Sequence, residues 1–303
     1  MRIVQTKRRG NRMGLWFFKI ALRLTGLRGA YGLLYFVCAY YVLFDRVAVR
    51  AATAYIVRRF PERSRRAQKA AVYRLFIEQG KNLIDRHAMV TGVRKFDLQI
   101  NGFDKIPTEP GKGFILLTSH LGNWQIVMQA LQTLGRTVHL LMRPEDNTAL
   151  QEAVRVDAES SRIKVISPDQ HLGGVVAMMQ ALQRGDVVSI MGDRAYRADG
   201  VAVEFLGGLA FFPYSAFQMA ASAGCPLVVL LSAKTGENDY TVDIPDVFDP
   251  AWMPQNKKRE QLRDWVQRYA QILEAYLREY PMQYFIFHDL WEEAHQRGQK
   301  PSI

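Results

Sequence analysis

The chain has 303 residues, 49% of them hydrophobic, with 40 lysines and arginines against 29 aspartates and glutamates, a net charge of +11. That length and apolar content suit one large α/β domain with a short appendage, and the basic surplus calls for an anionic partner: a membrane surface, a nucleic acid, or an acidic protein or substrate. Two cysteines, Cys38 and Cys225, and six histidines with no i, i+4 pair exclude a disulfide scaffold, a CxxC motif and a helical metal site.

Residues 1–28 hold eight basic residues and no acid, and Gly29–Phe44 then runs 16 residues without a charge. The run is short of the roughly 20 apolar residues a spanning helix needs. No A-x-A-like site follows it, so it does not read as a signal peptide. Aromatics crowd Trp16–Tyr41 beside lysine and arginine, the composition of a helix lying in a headgroup layer. Residues 1–45 are therefore expected to form a basic, aromatic-rich membrane anchor, and residues 46–303 a single α/β domain.

Beyond the anchor, helical spacing covers 62–90 and strand alternation covers 96–100, ending in the turn pair Asn101-Gly102. Strands are then expected at 114–119, 137–142, 163–167, 187–192, 201–206, 226–233 and 240–244. Helices are expected at 122–134, 147–159, 172–184, 213–223 and 256–279, and a last strand at 283–287 closes the core. The alternation predicts a mostly parallel central sheet flanked by helices.

In open α/β sheets, ligands sit beyond the carboxyl ends of the strands. The stretch LLTSHLGNWQ puts His120 at such an end, at the start of a helix, where an imidazole can take a proton from a hydroxyl. Gly122 and Asn123 allow a tight turn there. By itself a histidine at a strand end is more often structural than catalytic.

The surrounding residues carry more. HLGNWQ resembles the His-x4-Asp/Glu motif of the lysophospholipid acyltransferase superfamily, and more closely the late lipid A acyltransferase branch, where it usually reads H-x-G-N-W-E. LLMRPEDN, ALQRGDVVSIMGDRAY, VEFLGGLAFFP and PMQYFIFHDLW resemble further blocks of that branch, in the same order. The resemblance implies a glycerolipid acyltransferase-like fold at the cytoplasmic face of a bacterial inner membrane. It implies transfer of a fatty acyl group from acyl carrier protein or coenzyme A to a hydroxyl of a lipid acceptor, with no cofactor and no metal. His120 would be the general base. The family default for the acceptor is a lipid A precursor, with another glycolipid, an aminolipid or a polyene-type lipid as alternatives.

The departure is Gln125, where the branch has a carboxylate. Three readings stand: Gln125 orients His120 through its amide oxygen, Asp193 supplies the charge instead, or the chain is a catalytically silent lipid binder. Substrate-binding candidates are Asn123, Arg143, Arg155, Arg162, Arg194 and Gly207. For Arg143 a helix cap is the plain alternative, for Arg155 and Arg162 a solvated helix face, and for Gly207 a simple turn. No nucleic-acid motif accompanies the basic charge.

Overall fold

The computed structural model describes residues 12–124, 126–127, 131, 135–142, 162–169, 174–195, 199–254 and 257–298. Three helices come first: α1 (Arg12–Phe44), α2 (Arg46–Arg59) and α3 (Arg65–Val90). α1 breaks its helical geometry at Gly26, whose φ is 66°. Asp45 caps α2 by accepting from the Ala48 N–H at 3.0 Å, and Ser64 caps α3 through the Ala67 N–H. α2 lay outside the sequence expectation. Its buried face is mainly Ala48, Ala51, Ala52, Tyr55 and Ile56, and alanines carry little hydropathy signal between arginines.

The strands follow as β1 (Asp97–Asn101), β2 (Phe114–Thr118), β3 (Val138–Leu141), β4 (Ile163–Ile166), β5 (Val187–Met191), β6 (Gly200–Phe205), β7 (Gly208–Pro213), β8 (Leu227–Val229), β9 (Leu231–Lys234), β10 (Asp239–Asp243) and β11 (Val247–Phe248). Between and after them lie α4 (Val175–Gln183), α5 (Ser215–Ala223), α6 (Lys258–Glu279) and α7 (Leu290–Gly298).

The chain is α/β, but its β-structure is mixed and not one mostly parallel sheet. A six-stranded sheet has the order β11-β8-β2-β5-β3-β4; only its edge pair, β11 with β8, is antiparallel. A second sheet, β1-β10-β9, has one parallel and one antiparallel pairing, and β6 and β7 form a separate hairpin. The physical cause is local. The expected strand 226–233 is two strands, because the chain leaves the large sheet after β8 and enters the small one as β9. An unbroken apolar run conceals such a switch. The expected strand 283–287 is a single bridge, Tyr284 to Leu121.

β2 explains why the large sheet is continuous in hydrophobicity. Phe114, Ile115, Leu116 and Leu117 are all fully buried. Ile115 and Leu117 join the core with α1–α6, while Phe114 and Leu116 join a second core with Val127, Val138, Leu140 and Val242. A strand covered on both faces has no polar alternation to show.

Candidate active site

β2 and β5 are parallel neighbours, with Thr118 opposite Met191, so two residues past each strand end His120 and Asp193 come side by side. The Gly192 N–H bonds the Thr118 carbonyl at 2.8 Å and carries the ladder one step past β5. Asp193 then grips His120 twice. Its Oδ1 is 2.8 Å from the imidazole Nδ1, and its Oδ2 accepts the His120 backbone N–H at 2.7 Å. The carboxylate is wholly buried, while the His120 side chain is 23% exposed.

The backbone after His120 is held from three directions. The Gly122 N–H donates to the Gln283 carbonyl at 2.9 Å, and the Phe285 N–H to the His120 carbonyl at 2.7 Å. The Gln283 side-chain amide brackets Lys234, accepting its N–H and donating to its carbonyl at 2.7 and 2.8 Å. From α3, Asn82 Nδ2 donates to the Gly122 carbonyl at 2.5 Å. Gly122 has φ 61°, and a Cβ there would stand 2.0 Å from the Ser232 carbonyl oxygen, so only glycine fits. Asn123 is buried. Its Oδ1 caps the next helical turn at the Ile126 N–H and its Nδ2 bonds the Asn82 carbonyl, so both polar atoms serve the fold.

Beneath the pair, the Tyr269 hydroxyl donates to the Thr118 carbonyl at 3.0 Å. The Tyr284 hydroxyl is buried beside Asp193 without closing a hydrogen bond. Burial first, and the Asp193 charge second, hold both phenols well above their ordinary pKa, so both are neutral. A sealed carboxylate that fixes Nδ1 leaves Nε2 as the nitrogen able to meet a hydroxyl.

The other expected residues divide by place. Gln125, Arg143 and Arg155 lie outside the described residues. Arg194 follows Asp193 and is half-buried. Arg162 precedes β4, and its carbonyl accepts the N–H of Val138, the first residue of β3. It therefore sits at the amino ends of parallel strands, the opposite end from His120. Gly207 occupies, with Leu206, the two-residue loop of the β6–β7 hairpin; φ is 71° and 49° at these two positions, as a tight hairpin turn requires.

Sequence reasoning missed a second pair of the same type. His139 Nε2 lies 2.9 Å from Asp186 Oδ2, with Arg184 Nε 3.4 Å from the same oxygen. It too stands toward the amino ends, where a cavity of about 410 Å³ opens between Gly111, Lys112, Leu182 and Cys225. Only the strand register of β3 and β5 reveals the pairing.

The fold is α/β, and the histidine–carboxylate pair stands at the carboxyl ends of its parallel strands, where open α/β sheets hold their ligands. More particularly, residues 17–293 match the family of bacterial lipid A biosynthesis acyltransferases, and the chain belongs to that family. It is an acyltransferase of lipid biosynthesis. Among solved structures, the 1-acyl-sn-glycerophosphate (LPA) acyltransferase PlsC from Thermotoga maritima aligns over 81% of this chain and 96% of its own, at 15% identity and a TM-score of 0.40. No curated protein sequence matches significantly.

Proposed function

We propose that this acyltransferase moves a fatty acyl group from a thioester of acyl carrier protein or coenzyme A to a hydroxyl of a lipid acceptor, a lipid A precursor in the first instance. The observation that carries the reading is the His120–Asp193 pair, with its imidazole open and its carboxylate sealed. Asp193 holds Nδ1 and stabilises the imidazolium. His120 Nε2 takes the acceptor's hydroxyl proton as the oxygen attacks the thioester carbonyl. The tetrahedral intermediate collapses, the C–S bond breaks, and the imidazolium returns the proton to the leaving sulfur. An ester and a free thiol result, and neither a metal nor an acyl-enzyme enters the scheme. On this reading Asp193, at the neighbouring strand end, supplies the charge that the motif lacks at Gln125.

The site is expected to work at the cytoplasmic face of a bacterial inner membrane, with the segment 1–45 as anchor. Helix α1 supports this with 21 residues, Leu24–Phe44, of mean hydropathy 1.4, and the +11 charge suits anionic lipid or an acidic carrier protein.

The test supplies radiolabelled acyl thioester, on carrier protein and on coenzyme A in parallel, with lipid A precursor in detergent micelles. The parent should form acylated lipid with one donor, and His120→Ala should lose at least about 100-fold. A parent protein that binds lipid but consumes neither donor on any hydroxylated lipid would establish the silent binder instead.

A further inference from the structure

The segment Leu24–Phe44 is long and apolar enough to cross a bilayer, yet its packing argues otherwise. Leu27, Ala30, Leu34 and Cys38 form one buried stripe facing α3. The contacts run in antiparallel register over three turns. The Tyr31 hydroxyl donates to Asp85, Leu34 fills the space over Gly80, the Cys38 thiol meets the Phe76 carbonyl at 3.4 Å, and the Tyr73 hydroxyl donates to the Tyr35 carbonyl at 2.6 Å. Asp85 is fully buried and also receives Lys234 Nζ and the Tyr240 hydroxyl, each at 2.5 Å. At the near end, Arg28 makes a two-pronged pair with Glu237 in the turn between β9 and β10, at 3.1 and 3.0 Å.

We propose that α1 does not span: it lies along one leaflet of an anionic bilayer, with α3 at its back. The proposal rests on the membrane reading above and settles its geometry. Two routes across are closed. If α1 crossed alone, it would leave α3, and the buried Asp85–Lys234 pair would lose its Tyr31 cover. If α1 and α3 crossed together, Arg74, Glu78, Lys81, Asp85 and Arg86 would enter the hydrocarbon with them. Charged side chains at mid-membrane are costly, and the apolar gain of one helix does not offset several of them.

The face away from α3 has the composition of an interfacial helix. Phe36, Tyr40, Leu43 and Phe44 are between 50% and 80% exposed, as is Val47 of α2. Helical bonds run across the junction, Asp45 N–H to the Tyr41 carbonyl and Val49 N–H to the Asp45 carbonyl, so Val47 falls near the same side. Arg46 is exposed beside Phe44 and Val47. Apolar rings with a guanidinium at their edge match a leaflet of anionic headgroups over acyl chains, and not the all-round apolar contact of a spanning helix.

The experiment uses the full chain and sealed vesicles of phosphatidylethanolamine and phosphatidylglycerol. Flotation comes first: the protein should rise with the vesicles, and failure to do so overturns the membrane reading as well. Gln5→Cys and Glu62→Cys, one on each side of the segment, are then probed with a membrane-impermeant maleimide in right-side-out and inside-out membrane vesicles, with the parent as control for its buried thiols. Both positions should label from the same side. Labelling from opposite sides, with flotation intact, overturns the proposal alone. The double change Phe36→Asp, Phe44→Asp alters only exposed positions; it should reduce flotation at least tenfold with the unfolding transition unchanged, and undiminished flotation removes this face as the contact.

Discussion

Two histidine–aspartate pairs stand at opposite ends of the same parallel sheet, one between β2 and β5 and one between β3 and β5, and β5 carries an aspartate just beyond each of its ends. The lengths are alike, 2.8 Å for His120–Asp193 and 2.9 Å for His139–Asp186. The burial is inverted. In the first pair the carboxylate is 0% exposed and the imidazole 23%; in the second the imidazole is 6% exposed and the carboxylate 19%. The ring nitrogens are inverted too, since Asp193 holds Nδ1 and Asp186 holds the outer Nε2. An open imidazole over a sealed carboxylate can pass a proton to and from a substrate. A sealed imidazole under an open carboxylate can only tie two strands together. The hydrogen bond alone therefore does not define a site; its direction relative to solvent does.

The largest expected effect breaks the symmetry between the pairs. Asp193→Asn keeps the shape but loses the charge and the tautomer control, and acyl transfer should fall by about 10²–10⁴-fold. Asp186→Asn should leave the rate within roughly twofold, as a group acting only through stability does. Equal losses in a steady-state thioester assay would erase the distinction.

Glycines sharpen the same contrast. Gly122→Ala forces a Cβ to 2.0 Å from the Ser232 carbonyl oxygen at φ 61°. Overpacking and the left-handed backbone together should cost about 2–5 kcal/mol and displace His120. At Gly207 nothing lies within 4 Å, so Gly207→Ala should cost only the backbone part, about 1–2 kcal/mol, with the specific activity of the folded fraction kept. Urea unfolding with a parallel rate measurement separates the two, and a large rate loss at Gly207 would support its expected substrate role.

At the amino ends, Asp186→Asn should lower unfolding free energy by about 1–3 kcal/mol, since it weakens the bond to a buried imidazole. A thermal melt with no shift would show that the pair contributes nothing to stability either.

The smallest effect concerns Cys225, whose thiol burial pushes up to about 11 from the ordinary 9.0. The unfolded chain loses this proton first. The thiol's contribution is thus fully present below pH 9 and falls as pH rises toward 11, by at most about 1.4 kcal/mol per pH unit. Cys225→Ala should have a flatter stability profile than the parent over that window, and parallel profiles would refute the assignment.

Much of the scaffold was legible because its signals are local. Strand runs at 114–119 and 187–192 and helical periods at 172–184, 213–223 and 256–279 all have counterparts within a few residues. Helix α6 shows why: Leu262, Val266, Tyr269, Leu273 and Leu277 recur at three- and four-residue steps on its buried face. α2 was missed because its packing face is mostly alanine, and β7 because Gly208–Pro213 read as a glycine-marked block rather than a strand.

The sequence by itself determined that a histidine stands at the end of a buried strand with a glycine turn behind it, because strand propensity, burial and turn chemistry act over neighbouring residues. It also marked residues 1–45 as basic and aromatic, since composition needs no fold. Which carboxylate meets His120 was a matter for the tertiary structure: Asp193 is 73 residues away, and only the parallel register of Thr118 against Met191 brings the two side chains to 2.8 Å. The same holds for α1. Its basic, aromatic composition already pointed to a headgroup layer, but the packing of its inner face depends on a buried aspartate of α3 and a lysine of β9 that meet only once the chain has folded.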